Sequence, residues 1–174
     1  MAKAHRVNLR EFQQALTERL QNKTAAQVGA ARLGVIAAGE RWLVRLSHAG
    51  EVIQVPPITP VPLTQSWFLG VTNIRGNLYS VTDFARFIGR DPLHITVQSR
   101  LLLFGQRFSE LRAGLIVQQV LGLRNVAGWT RLEAQGETGW EWLGASWQAP
   151  GGEVWREIDM ARLARSQAFL KVGL

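Results

Sequence analysis

The chain has 174 residues, of which 47% are hydrophobic and 19% charged, a balance typical of an ordered globular protein rather than a disordered one. It contains no cysteine, which excludes a disulfide framework and a cysteine nucleophile. The net charge of +7 invites a nucleic-acid interpretation, but the basic residues lie near the two termini or singly between strands, without a basic run. The charge is therefore interpreted as a solvated face or as steering of a partner, and the sequence does not predict a nucleic-acid site.

The N-terminal part of the chain predicts a helix. Asn8 followed by Glu11 is an Asn-headed variant of the capping box, and apolar residues recur after it at helical spacing (Leu9, Phe12, Leu16 and Leu20). We expect an amphipathic helix from about residue 9 to residue 22 and a linker to about residue 31. The apolar stripe either packs on the body of the protein or docks a partner. The first ten residues are polar and basic, and no apolar run reaches the length of a membrane span, so we expect a cytoplasmic protein.

Short apolar runs alternate with Gly, Pro or charged breaks through the middle of the chain. They predict strands at residues 33–38, 42–46, 51–55, 68–74, 78–82, 100–104 and 111–120. This spacing favours a barrel or a sandwich, without βαβ alternation. A Gly-rich region rich in tryptophan follows residue 126, and a helix is expected from about 160 to 168. Trp42, Trp67 and Trp155 are predicted core residues, whereas one of Trp140, Trp142 and Trp147 could anchor a partner.

The most informative local stretch is residues 67–84. Its pattern predicts two strands joined by a tight turn at Gly76-Asn77, which requires a positive φ. Asp83 is positioned to cap a short helix over residues 84–88, which Gly89 ends.

The sequence offers little for catalysis. His5, His48 and His94 are scattered without metal-ligand spacing, and His48 is expected to be a solvated loop residue. No nucleophile elbow, phosphate loop or dinucleotide fingerprint occurs. We therefore expect no catalytic residue, no metal site and no cofactor.

The pattern G-V-x-N-x-R-G, which begins at Gly70 and is followed by Asp83-Phe84, resembles the signature of the CheW-like coupling proteins of bacterial chemosensory systems. The segments 41–44, 51–53, 113–122 and 159–163 are similar to further family motifs, and 166–170 is similar to the tail of the PilI subgroup. Ser80 stands where many members carry proline, and Gln118-Gln119 replaces the usual acidic pair.

The resemblance implies a mainly β fold. It consists of two small five-stranded SH3-like barrels that enclose a shared hydrophobic interior, with an N-terminal and a C-terminal helix. Residues 1–30 would form a helical extension and linker, and residues 31–174 the CheW-like domain with its two barrel subdomains.

The resemblance also implies a non-enzymatic adaptor without a cofactor. Its partners would be the cytoplasmic tip of a methyl-accepting chemoreceptor and the regulatory domain of a CheA-type histidine kinase. The protein would be recruited to membrane receptor arrays without inserting into the membrane, and its pathway would control type IV pili and twitching motility. The alternatives are a flagellar-type coupling protein, a free copy of a kinase regulatory domain and, more distantly, a basic RNA-binding barrel.

The same resemblance implies where partners would bind. Arg75 aligns with the arginine of the family's turn, and Glu51 with an acidic residue on the kinase side. Ala49 and Val52 share the candidate face with Glu51. Asn73 and Gly76 are expected to shape the turn, since Asn can bond its own turn backbone and Gly tolerates positive φ.

Overall fold

A computed structural model describes residues 24–133 and 139–174, together with positions 18 and 21. The predicted helix at residues 9–22 therefore lies almost wholly outside the described residues. Residues 24–30 are helical, where the sequence predicted a linker, because alanine and glutamine there favour a helix. Among the described residues, no helix is both long and apolar enough to cross a membrane.

The protein is mainly β, as predicted, and its strands form two sheets. In chain order the strands are β1 Ala31–Ala37, β2 Glu40–Arg45, β3 Ala49–Gln54, β4 Phe68–Ile74, β5 Asn77–Asp83, β6 Arg100–Phe104, β7 Ala113–Val117, β8 Gln119–Asn125, β9 Thr130–Leu132, β10 Leu143–Gln148 and β11 Val154–Ile158. Sheet I has the order β8-β1-β2-β11-β10-β9 and sheet II the order β3-β6-β7-β5-β4. Sheet II has the expected five strands, whereas sheet I has six because the short β9 pairs with β10.

The segment 111–120, predicted as one strand, is two strands that belong to different sheets. β7 lies between β5 and β6 in sheet II, whereas β8 forms an edge of sheet I beside β1. The chain crosses between the sheets at Gln118, whose N–H donates to the carbonyl of Ile36 at 2.8 Å. A run of apolar residues does not reveal such a crossing, because both halves have the same strand-forming pattern.

The inner faces of the two sheets share one hydrophobic core. Trp42 and Val44 of sheet I pack in the same cluster as Leu102 and Leu115 of sheet II. Leu43 points the opposite way, into a smaller cluster on the outer face of sheet I. Side chains alternate between the two faces of a strand, and both faces of β2 are covered at its centre. Its three consecutive residues Trp42, Leu43 and Val44 are therefore all apolar and buried.

The tryptophans fill this interior and the outer cluster. Trp42 and Trp155 are buried, as predicted, and Trp67 is partly buried. Trp142 is also buried, and Trp140 stacks on it at 5.2 Å. Trp140 and Trp147 are partly buried, so each presents only part of its ring to solvent.

Short helices close the ends of strands. Asp83 caps α1 (Phe84–Phe87) as predicted, because its Oδ1 accepts the N–H of Arg86 at 3.2 Å. The helix predicted at residues 160–168 is instead two single turns, α2 (Met160–Leu163) and α3 (Gln167–Leu170). The extended backbone of Ser166 separates them, and this break lets Phe169 stack on Trp67 at 6.1 Å in the core.

Candidate functional site

The hairpin between β4 and β5 carries the predicted signature, but its turn lies one residue earlier than expected. Ile74 pairs with Asn77, so the two loop residues are Arg75 and Gly76, with φ of 50° and 84°. Positive φ at both central positions is the geometry of a type I′ turn, whose twist matches that of the strands. The side-chain oxygen of Asn73 accepts the N–H of Gly76 at 2.8 Å. Arg75 is thus part of the turn itself, and its side chain starts from a fixed left-handed backbone.

Arg75 and Glu51, the two charged residues carried over from the resemblance, are bonded to each other. The Arg75 guanidinium donates from Nη1 to Glu51 Oε1 at 2.6 Å and from Nη2 to Oε2 at 2.8 Å. This hydrogen bond raises the pKa of Arg75 above its ordinary value. The side chains remain 74% and 51% exposed, so water screens the pair and it adds little to folding. A fork of two parallel bonds instead fixes where both charges point.

An open groove of about 540 Å³ lies beside this pair; we call it the hairpin groove. Ala49, Gly50 and Glu51 of β3 line one side, and Asn77 and Tyr79 of β5 line the other. Its remaining lining residues come from the end of β6 and the loop after it (Leu103, Phe104, Gly105, Gln106, Phe108, Ser109, Leu111 and Arg112). The groove therefore has both apolar and polar walls, as expected of a surface that recognises a protein segment.

Residues on both flanks of the groove expose apolar surface. Val52 follows Glu51 on β3 and is 38% exposed, while Leu78 of the hairpin is 61% exposed. A β-bulge between Ala49 and Val52 adds one residue to β3 relative to β6. The structure thus places Ala49 and Glu51 in the lining of the groove, Arg75 outside the lining but bonded to Glu51, and Val52 next to Glu51 on β3.

Gly50 is a residue of this site that sequence reasoning missed. A Cβ added at Gly50 would lie 2.7 Å from the carbonyl oxygen of Phe104, so only glycine lets β3 approach β6 this closely. The predicted strand 51–55 left Gly50 in the preceding loop, whereas the observed β3 begins at Ala49, so the sequence pattern did not indicate this close approach.

His48 directly precedes the groove residue Ala49 and is partly buried, not solvated as predicted. Its ring packs edge-on against Phe108 at 5.5 Å, and its Nδ1 is buried without a hydrogen-bond partner among the described residues. Burial, followed by the charges of Arg107 and Arg45, lowers the pKa of His48. Packing of the loop after β6 decides this environment, which a hairpin-loop pattern does not show.

Within residues 24–133 and 139–174, no group of three or more His, Asp or Glu side chains is arranged to hold a metal ion. The described site consists of an ion pair, two exposed apolar side chains and a groove. Such a set can recognise a surface by shape and charge.

Comparisons with known proteins identify the family of the chain. The family model described as the CheW-like domain matches residues 32–168. The protein PilI of Pseudomonas aeruginosa is 30% identical over 93 residues, which cover 53% of this chain and 51% of PilI. The protein FrzA of Myxococcus xanthus is 34% identical over 100 residues, which cover 58% of this chain and 56% of FrzA. The chain thus spans about half the length of the curated relatives it matches.

A solved structure has the same fold. The scaffolding protein TtCheW from Thermoanaerobacter tengcongensis superposes with a TM-score of 0.64 at 20% sequence identity, covering 75% of this chain and 88% of that one. The family match covers both sheets, the hairpin and the helix α2. The chain therefore belongs to the CheW-like domain family, a family of scaffold proteins in chemosensory systems.

Proposed function

We propose that this protein is a non-enzymatic adaptor that couples a methyl-accepting chemoreceptor to a CheA-type histidine kinase in a pathway controlling type IV pili. Its CheW-like domain and its similarity to PilI and FrzA support this assignment. The adaptor is cytoplasmic and is recruited to receptor arrays through its partners. It needs no cofactor, because a scaffold acts through complementary surfaces.

The observation that carries the proposal is the ion pair between Glu51, which lines the hairpin groove, and Arg75. Arg75 and Glu51 are both more than half exposed and each has its charge held in place by the other. Partner groups can reach both charges with little rearrangement, since preorganised side chains lose little freedom on binding. Glu51 uses two of the five N–H donors of the Arg75 guanidinium, and the remaining ones can donate to a partner's carboxylate or carbonyls, while Glu51 can still accept from a basic residue.

The charged residues and the neighbouring apolar residues of this surface have different roles in binding. Glu51 acts on the kinase side, and the neighbouring Val52 and Ala49 supply apolar contact beside it. Asn73 accepts the N–H of Gly76 and so stabilises the turn that sets the backbone of Arg75. Receptor state would reach the kinase as a change in the relative positions of the two proteins held by the adaptor.

The test is calorimetry of the adaptor with a receptor tip fragment and with the kinase regulatory domain. The variant Arg75→Asn removes the guanidinium while keeping a residue that tolerates positive φ, so the turn survives. We expect it to weaken binding to at least one partner about tenfold or more, as for loss of a charged anchor in an interface. Arg165→Asn removes an exposed arginine outside the groove and serves as the matched control.

A charge swap separates binding from a structural role. The double variant Arg75→Glu, Glu51→Arg keeps an ion pair but reverses both charges. If partners read the individual charges, the swap binds as poorly as Arg75→Asn. Full recovery of affinity in the swap, or wild-type affinity of Arg75→Asn for both partners, would reject this site. Binding only to flagellar receptor and kinase fragments would instead assign the protein to a flagellar pathway.

A further inference from the structure

The outer face of sheet I concentrates arginine side chains. Cross-strand partners point to the same face of a sheet, and Arg32 pairs with Arg45 of β2 and with Arg124 of β8. Arg41 lies on the same face of β2 as Arg45, and Arg131 pairs with Trp147 on β10. The acidic side chain among the strand residues of this face is Glu157, which is buried.

Glu157 neutralises only part of this charge. Its Oε2 accepts from Arg32 Nε at 2.9 Å and from Trp147 Nε1 at 3.2 Å, and its Oε1 accepts from Arg45 Nε at 2.8 Å. Burial would raise the pKa of Glu157, but the hydrogen bonds from Arg45 and Arg32 outweigh it and hold that pKa below the ordinary value. Arg45 uses one nitrogen in this bond and keeps 48% of its side chain exposed.

An open cleft of about 680 Å³ lies at this end of the face, beside Trp147. Arg45, Arg131 and Arg162 line it together with Glu133 and Asp159. The oxygens of Asp159 are occupied, since Oδ1 accepts two N–H groups at the start of α2 and Oδ2 lies 3.5 Å from Arg162 Nε. The side chain of Arg131 is exposed and makes no hydrogen bond or ion pair with the described part of the chain. The cleft therefore presents Arg131 without a counterion among the described residues, together with Arg45 and Arg162, which are paired with Glu157 and Asp159 but keep about half or more of their side chains exposed.

We propose that this cleft binds an acidic segment of a protein partner, with Arg131, Arg162 and Arg45 receiving its carboxylates. Guanidinium forks match carboxylates in geometry, and a concave basic surface concentrates their potential. This site lies on the outer face of sheet I, whereas the hairpin groove is formed by sheet II, so it does not depend on the proposed adaptor site.

The tryptophans of this face argue against a nucleic acid as the ligand. The ring of Trp155 is 5% exposed and lies under the guanidinium groups of Arg41 and Arg124, at 6.0 and 5.5 Å. Trp129 packs on it at 5.7 Å, and Trp147 is held by its bond to Glu157. Single-stranded nucleic acids need free aromatic faces on which bases stack, whereas the Trp155 ring is buried and Trp129 and Trp147 are only partly exposed. A bilayer is flat, whereas peptide carboxylates can enter a cleft.

Fluorescence anisotropy with a labelled oligoglutamate peptide tests the proposal at low ionic strength, where charge effects are strongest. We expect the full-length protein to bind the peptide and both Arg131→Glu and Arg162→Glu to weaken binding about tenfold, since an opposed charge is lost and a like charge gained. Lys171→Glu changes the net charge equally at an exposed site outside the cleft and should have a much smaller effect. Glu133→Gln removes a repelling carboxylate and should tighten binding.

The proposal fails if Lys171→Glu weakens binding as much as Arg131→Glu, because net charge alone would then explain it. It also fails if oligoglutamate does not bind. Tighter, Arg131-dependent binding of a single-stranded oligonucleotide, or of vesicles containing phosphatidylserine, would overturn the choice of an acidic polypeptide. Thermal melts of each variant, compared with the wild type, confirm that these exposed substitutions leave the fold intact.

Discussion

Replacing the buried carboxylate of Glu157 should destabilise the protein strongly. Glu157→Gln keeps the shape but removes the charge, which leaves Arg32, only 5% exposed, without its counterion. Breaking a buried ion pair on one side costs roughly 3–5 kcal/mol. Arg45 also loses its bond to Glu157, but it is 48% exposed and can be hydrated instead, so its loss adds little. The expected cost therefore lies at the lower end of this range. We expect a loss of about 3 kcal/mol, and a melting temperature lower by roughly 6–12 °C for a chain of this size.

Urea unfolding followed by tryptophan fluorescence measures this loss of unfolding free energy. The pH dependence of the unfolding free energy is an independent test of the contribution of the Glu157 charge. The folded pKa of Glu157 is lowered from the ordinary 4.5, so its contribution is present above that value and is lost as pH falls through the folded pKa. The stability difference between wild type and Glu157→Gln should therefore narrow as the pH drops below 4.5.

Two further variants make this reasoning refutable. Glu141→Gln is the matched control, because Glu141 is exposed and its loss of charge should change stability by less than about 0.5 kcal/mol. Removing both buried charges, in Arg32→Met with Glu157→Leu, should recover much of the loss, since two apolar groups need no counterion. A difference below about 0.5 kcal/mol between Glu157→Gln and wild type would show that the buried pair does not behave as an ion pair in a dry environment.

Two other predictions concern the hairpin groove. Folding lowers the pKa of His48 from the ordinary 6.5, so the free energy of unfolding of the wild type should fall as the pH drops below that value. In His48→Gln the free energy of unfolding should depend less on pH. If urea titrations gave the same pH dependence for both proteins, the burial of this ring would be contradicted. Gly50→Ala should cost about 1–3 kcal/mol by forcing β3 away from Phe104, whereas Gly128→Ala, with no atom within 4 Å of the added Cβ, should be nearly neutral; equal melting temperatures for the two would refute the close approach of β3 and β6.

Local patterns in the sequence determined much of the secondary structure. β4 and β6 have the predicted bounds, because an apolar run between turn residues specifies a strand without reference to distant parts of the chain. Asp83 caps α1 for the same reason, since a cap bonds an N–H only three residues away. The signature around the hairpin likewise indicated the family before the fold was known.

Only the tertiary structure decided which charges meet. Arg75 and Glu51 are 24 residues apart and Arg32 and Glu157 are 125 apart, and no local pattern encodes either pairing. The pairing of Ile74 with Asn77 makes Arg75 and Gly76 the turn residues, whereas the sequence predicted a turn at Gly76-Asn77. Burial of Glu157 and the open cleft beside it likewise follow from how the six strands of sheet I assemble. Strand pairing is a long-range choice made by packing the whole chain, so a sequence read segment by segment leaves it open.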